Sequence, residues 1–325
     1  MKAPKFWEFG QYSLCGALLT PFGAFYNLVT RARAHKEPQW SAPIPVICIG
    51  NLTMGGAGKT PTALAVVAYL IAQGRKPFFL SRGYGGQLSG PVMVTDQTSH
   101  DVGDEPLLLA QYAPVCVSHD RVAGAKLCVE QGADVIVMDD GYQNPHLKKD
   151  LSLVVVDGGY GHGNEKVFPA GPLRESLESG LARANAVVLI GDDVTGAWDR
   201  ISSVRKDLPI LKARISAQER SDIQDGAYVA FAGIARPQKF FDTLAALGGT
   251  IKATKSYPDH YAYHSVDIEE LQAQAMAHQA KLITTEKDAV RLPASVRVNV
   301  DTLKITLVFE GEDVLKPVLS PILKK

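Results

Sequence analysis

From Ile44 onward, short runs of β-branched and other apolar residues alternate with longer stretches whose apolar positions recur every three or four residues. Alternation of this kind is the signature of a parallel sheet covered by helices. It predicts strands over Val46–Ile49, Pro77–Leu80, Val92–Thr95, Val115–Val117, Val135–Met138, Leu153–Val156 and Ala186–Ile190, with helices over Thr60–Gln73, Glu105–Tyr112, Arg121–Gln131 and part of Leu173–Ala182. Runs with apolar residues on both faces, such as Val135-Ile136-Val137-Met138, belong in the interior of such a sheet. After Arg214 the pattern restarts. Ala227–Ala232, Thr250–Thr254 and Lys281–Thr284 read as strands, Pro237–Leu247 and Asp267–His278 as helices. The expected architecture is therefore a mostly parallel α/β core over 37–214 and a smaller second α/β domain over 215–325, with Ile210–Ile215 and Thr302–Phe309 pairing as a ribbon between them.

The first 36 residues follow a different rule. Phe9 to Thr30 carries no charge and is flanked by Lys2 and Lys5 on one side and by Arg31, Arg33 and Lys36 on the other. Pro21, three glycines and the polar Gln11, Ser13 and Asn27 speak against a spanning helix in a stretch that barely reaches the ~20 residues a span needs. An interfacial helix fits better, with Trp7, Phe22, Phe25 and Tyr26 facing lipid and the basic residues at headgroup level. The competing readings are a helix packed on the protein's own core and a secretory signal, the latter disfavoured because the run ends in Asn27-Leu28-Val29-Thr30-Arg31 without a small-residue cleavage site.

Composition changes this picture little. With 46% hydrophobic and 21% charged residues among 325, the chain is globular rather than disordered, and 34 basic residues balance 34 acidic ones, so no overall field favours nucleic acid. Cys15, Cys48, Cys116 and Cys128 form no C-x-x-C pair, which suits a reducing compartment better than a disulfide scaffold or zinc site.

The strongest chemical signal follows the first strand. Thr53-Met54-Gly55-Gly56-Ala57-Gly58-Lys59-Thr60-Pro61 sits between a strand and a helix, the order in which a phosphate-binding loop works. Backbone N–H groups uncrowded by side chains converge there on the positive end of the helix, Lys59 reaches the β- and γ-phosphates, and the Thr60 hydroxyl serves magnesium. Pro61 is tolerated in the first helical turn. Thr53 replaces the usual first glycine, and the doubled Gly55-Gly56 is similar to the loop of partitioning ATPases, but Met54 stands where those carry lysine. A membrane-associated regulatory P-loop ATPase is thus the alternative to a kinase. A GTP-binding protein is disfavoured because Thr285-Glu286-Lys287-Asp288 has no asparagine before its lysine.

Strand Val135–Met138 delivers Asp139 and Asp140 at its C-terminal end, where a carboxylate can hold Mg²⁺, although Asp140 can equally cap the following turn. Asp104 and Glu105 precede a helix, either as its cap or as a carboxylate that takes the proton of a hydroxyl acceptor. Arg174 can stabilise phosphoryl charge or form a surface ion pair, and His260 by itself is a weak signal.

Together with Ser81-Arg82-Gly83-Tyr84, Gly103-Asp104-Glu105-Pro106, Asp139-Asp140-Gly141-Tyr142-Gln143, Ala170-Gly171-Pro172-Leu173-Arg174-Glu175, Asp259-His260-Tyr261 and Thr284-Thr285-Glu286-Lys287-Asp288, the loop resembles the tetraacyldisaccharide 4'-kinase family over nearly the whole chain. The resemblance implies an ATP- and Mg²⁺-dependent kinase that phosphorylates the 4'-hydroxyl of an acylated glucosamine disaccharide 1-phosphate to give lipid IVA, at the cytoplasmic face of a bacterial inner membrane, with no required protein partner. It further implies that Asp104 accepts a proton with His260 as its partner, that Asp139, with Glu105, serves the metal and that Arg174 contacts phosphate. His260 comes from the second domain, so closure about a hinge near the ribbon is expected.

Overall fold

A computed structural model of the chain describes residues 4–11, 13–34, 36–217, 221–224, 226–234 and 236–323; Lys2 lies outside them. The first half runs α1 (Leu14–Ala34), β1 (Val46–Gly50), α2 (Lys59–Ala72), β2 (Pro77–Ser81), β3 (Val92–Met93), α3 (Ser99–Val102), α4 (Asp104–Leu109), β4 (Val115–Val117), α5 (Arg121–Glu130) and β5 (Val135–Asp139). It continues through β6 (Leu151–Asp157), α6 (Leu177–Ala182), β7 (Ala186–Ile190), α7 (Ala197–Val204) and β8 (Ile210–Ala217). There follow α8 (Ser221–Gln224), β9 (Ala227–Ala232), α9 (Pro237–Ala246), β10 (Thr250–Ser256), α10 (Ser265–Ala277), β11 (Lys281–Thr285) and α11 (Glu286–Ala289). The chain ends with α12 (Ala294–Arg297), β12 (Val300–Leu303), β13 (Ile305–Phe309) and α13 (Lys316–Leu323).

Nine strands form one sheet in the order β13-β8-β7-β6-β1-β5-β2-β4-β3, and four form a second in the order β10-β9-β11-β12. All pairs are parallel except those at the two edges of the large sheet, β13 with β8 and β3 with β4. β1 is central and wholly buried. Its Ile47 and Ile49 pack on one face with Val66, Val67 and Leu70 of α2, while Val46 and Cys48 pack on the other, as the twofold period of a strand requires. The chain leaves β1 toward β2 on one side and later returns to β6 on the other, so β1 borders the switch point at which open α/β sheets bind ligands.

The expected ribbon exists, in the register Phe309↔Ala213 to Ile305↔Ala217, but it also extends the large sheet because β8 pairs with β7. After β12 the chain rejoins that sheet: Leu307, Leu315, Leu319 and Ile322 share the core cluster of α2. The strand expected over Val92–Thr95 is confined to Val92–Met93, and the helix expected within Leu173–Ala182 starts only at Leu177, where the Ser176 side chain accepts from Ser179 N. Residues ahead of it are drawn away by hydrogen bonds to the phosphate loop.

α1 lies on the loop 164–176 through its small residues. A Cβ on Gly23 would stand 2.7 Å from Val167 O, so only glycine permits this approach, and Asn27 Oδ1 accepts from Ser176 N at 2.8 Å. The opposite face leaves Leu14, Leu18, Phe22, Phe25 and Leu28 each more than 60% exposed. Phe22 and Phe25 thus face outward as expected. Trp7 and Tyr26 do not: both pack edge-on against Phe168, at 6.0 and 5.5 Å, because that ring offers them an apolar partner within the fold. No described helix is long and apolar enough to cross a membrane.

Candidate active site

The phosphate loop leaves the buried end of β1 and enters α2 at Gly58, whose φ of 86° and close approach to Ile190 Cδ1 (2.5 Å from a would-be Cβ) exclude any side chain. A Cβ at Gly55 or Gly56 would meet nothing within 4 Å, so that side of the loop is open. The opposite side is fastened to 172–174: Met54 N donates to Pro172 O at 2.8 Å and Arg174 N to Leu52 O at 2.7 Å. Met54 therefore spends its N–H on the loop's own support, and Thr53 Oγ1 accepts from the buried Asn51 amide at 3.3 Å. Pro61 occupies the first turn of α2.

Lys59 Nζ donates to Asn51 Oδ1 at 3.4 Å and lies 3.7 Å from Asp140 Oδ2. Arg174 forks onto the same carboxylate at 3.1 and 3.4 Å, and Asp140 holds a left-handed φ of 53° that presents it to both cations. Burial alone would raise the Asp140 carboxyl, but Lys59 and Arg174 outweigh it and hold it below the usual range. Behind Arg174 stands a second tier. Gln143 accepts from Arg174 at 3.3 Å and donates to Asn51 O at 3.0 Å, while the buried Glu175 takes two bonds of 2.8 Å from Arg183.

Asp139 is different. Its Oδ2 accepts from Thr60 Oγ1 at 3.2 Å, while Oδ1 is buried without any hydrogen-bond partner. Burial, then the charges of Glu105 and Asp140, push its carboxyl up to about 7. An orphaned carboxylate oxygen beside a threonine hydroxyl fits a magnesium ion, which keeps several waters and takes one or two protein oxygens together with nucleotide phosphates. Among the described residues no group of three His, Cys, Asp or Glu side chains could cage a metal.

The second cluster joins the two sheets. Asp104 Oδ2 is 2.7 Å from His260 Nδ1 and accepts from Arg291 Nε at 2.8 Å. Arg291 Nη1 reaches the fully buried Asp288 at 2.8 Å and Gly233 O at 2.9 Å, and Asp288 also accepts from Tyr263 OH and Thr285 Oγ1. His260 is held in a left-handed φ of 59° with its N–H on Gly233 O. Glu105 pairs with Lys287 of α11 at 3.2 Å, yet it remains close enough to Asp139 to raise that carboxyl. The hydrogen bond to Asp104 raises the His260 pKa above its usual value. On Asp104 burial acts upward, but His260 and Arg291 outweigh it and hold the carboxyl low.

The structure thus brings Lys59, Thr60, Asp139, Asp140 and Arg174 into one network and Asp104, Glu105 and His260 into another. Sequence reasoning missed Asn51, which lies two residues ahead of the quoted loop, Gln143 and Glu175, which lie inside the quoted motifs, and Arg291, which lies three residues beyond one.

An anion cradle with a metal-competent carboxylate on one side and an imidazole–carboxylate pair on the other is the equipment of a P-loop enzyme that moves a phosphoryl group. The chain belongs to the tetraacyldisaccharide-1-P 4'-kinase family, whose model matches residues 15–324. It is 50% identical over 323 residues to the tetraacyldisaccharide 4'-kinase of Methylorubrum extorquens (strain PA1), covering 98% of each chain. It is likewise 50% identical over 315 residues to the one from Rhodospirillum rubrum, covering 95% of this chain and 94% of that relative. Among solved structures it is similar to LpxK from Aquifex aeolicus in complex with ATP, with a TM-score of 0.77 and 27% identity over 95% of this chain and 100% of that one. Membership sets aside the regulatory-ATPase reading.

Proposed function

We propose that this chain transfers the γ-phosphate of ATP to the 4'-hydroxyl of a tetraacylated glucosamine disaccharide 1-phosphate, working from the membrane surface on which its acylated substrate lies. The observation that carries the reading is the Asp104–His260 pair, whose neighbour Glu105 acts on the Asp139 carboxyl that accepts from Thr60 beside the phosphate loop.

Lys59 and the open Gly55-Gly56 side of the loop would receive the β- and γ-phosphates, and Arg174 would compensate charge on the transferring group. Asp139 and Thr60 would hold Mg²⁺, with Asp140 and Glu105 nearby; the ion neutralises phosphate charge when bound. On proton transfer the reading departs from the roles implied by the family resemblance. Asp104 shares one oxygen between His260 and Arg291 and is held acidic, which makes it a poor base. His260 is held basic, and with Nδ1 on Asp104 its Nε2 is the nitrogen left to take the acceptor's proton, Asp259 Oδ1 standing off at 4.0 Å. Asp104 then orients the imidazole and stabilises its charged form.

The outward apolar face of α1 and its basic last turn, Arg31 and Arg33, support peripheral attachment at the cytoplasmic face of the inner membrane. The test is transfer of labelled γ-phosphate from ATP to the tetraacylated disaccharide 1-phosphate in detergent micelles, with Lys59→Ala and His260→Ala alongside. A phosphorylated lipid formed by the wild type and lost in both variants is expected. ATP hydrolysis without lipid product in the folded wild type would overturn the reading.

A further inference from the structure

Where α1 ends, a cavity of about 180 Å³ opens that shares with the site above only Arg183, the partner of Glu175. Lys36 lines it from the turn after α1, Lys148 and Lys149 from the loop after β5, and Arg183 from the end of α6, around Tyr142; its lining contains no carboxylate. In a chain whose charges balance at 34 each, four cations around one cavity is a local excess.

Arg183 is offset by the buried Glu175, so the excess rests on Lys36, Lys148 and Lys149. Glu175 is taken by both arms of Arg183, and Asp150 accepts from Val46 N at 3.0 Å. Lys149 Nζ donates to two neutral groups, Tyr142 O at 2.8 Å and Asn144 O at 2.5 Å, which leaves one of its three N–H bonds uncommitted. It stands 5.9 Å over the Tyr142 ring, which Arg183 approaches to 5.0 Å. Burial, the largest influence on Lys149, and the nearby Arg183 charge both disfavour its protonated form. An anion in the cavity would relieve that strain on the charge.

We propose that this basic cavity binds the phosphate ester of a lipid at the bilayer surface. The inference rests on the membrane reading of α1: with Leu18, Phe22, Phe25 and Leu28 in the acyl boundary, Ala34 and the cavity it helps to line stand next to the headgroups. The phosphate can come from an anionic phospholipid or from the acylated acceptor itself.

The experiment measures binding of the full chain to phosphatidylcholine vesicles with and without phosphatidylglycerol, comparing wild type with Lys36→Glu/Lys148→Glu. Both lysines are exposed, and a second variant, Lys149→Met, removes the inner ammonium while keeping its stem. Each lost lysine should weaken binding to the anionic vesicles about fivefold, and the charge-reversed pair at least ~25-fold, with neutral vesicles unaffected in both variants and the thermal midpoint unaffected in the exposed pair. Lys252→Glu, in β10, should change neither. If anionic-vesicle binding stays but KM for the phosphorylated acceptor in neutral micelles rises, the bound phosphate is the acceptor's. Unchanged vesicle binding and unchanged KM in both variants, or an equal loss in Lys252→Glu, would overturn the site. Absence of binding to any vesicle would instead overturn the membrane reading, and the vesicle measurements do not depend on phosphoryl transfer.

Discussion

The two halves of the catalytic cleft are built on different principles. The nucleotide half sits at one end of one sheet: a loop after β1, a strand end at Asp139 and the Pro172–Arg174 segment are laced together by backbone hydrogen bonds, and its charged side chains decorate a frame that backbone already holds. The acceptor half has no such frame. Asp104 meets His260 and Arg291 across the gap between two sheets, over 156 and 187 residues of sequence, and one carboxylate oxygen carries both contacts. The first half is preorganised by chain geometry, the second by ion pairs, so single side-chain changes should disable chemistry in the first while also loosening structure in the second.

The largest effect should come from His260→Ala. If His260 takes the proton as proposed, its loss lowers kcat by about 10²–10⁴-fold while ATP affinity, measured by equilibrium titration, stays at the wild-type value. A parallel loss of ATP affinity would break the comparison by showing that the two halves are not separable. Arg291→Ala should cost about 3–5 kcal/mol in denaturant unfolding, since it removes the guanidinium that bridges two largely buried carboxylates, Asp104 and Asp288. Lys59→Ala should reduce kcat by about 10²–10³-fold without comparable loss of stability, because its contact with Asp140 is a long 3.7 Å pair with a partly exposed partner. A stability loss as large as that of Arg291→Ala would contradict the division drawn here.

The same contrast governs how far the site was legible in the sequence. A strand, a glycine loop and a helix are contiguous, so the P-loop and the strand-end aspartates could be placed from local pattern alone. Arg174 was legible only as a candidate, because its partner Asp140 lies 34 residues away. Arg291 left no local signal: a single arginine after a short helix acquires meaning only when folding sets it against Asp104. The α/β class and the ribbon followed from periodicity. The return of β13 and α13 to the large sheet did not, because an apolar run carries no label saying which of two sheets it will cover. Trp7 and Tyr26 were misplaced for a related reason, since an aromatic side chain satisfies a lipid surface and Phe168 equally well until tertiary contacts decide.

The smallest effect is the sharpest test of the acceptor half. Asp104 raises the His260 pKa above its usual 6.5, so the imidazole is charged at lower pH and becomes a competent base only as pH rises through the raised value. The sign for stability is opposite to that for activity. The ion pair with Asp104 contributes fully below the unfolded-state pKa of His260 and is lost as pH climbs through the folded one, so the enzyme gains activity over the same window in which it gives up that contact. Asp104→Asn removes the charge that raises His260, and the acid limb of kcat/KM against pH should move down toward 6.5 even as kcat falls. Were Asp104 itself the base, its depressed pKa would place the wild-type limb below the usual carboxylate range, and Asp104→Asn would abolish the activity rather than displace the limb. A pH profile of both proteins on a single acceptor therefore decides which of the two side chains takes the proton.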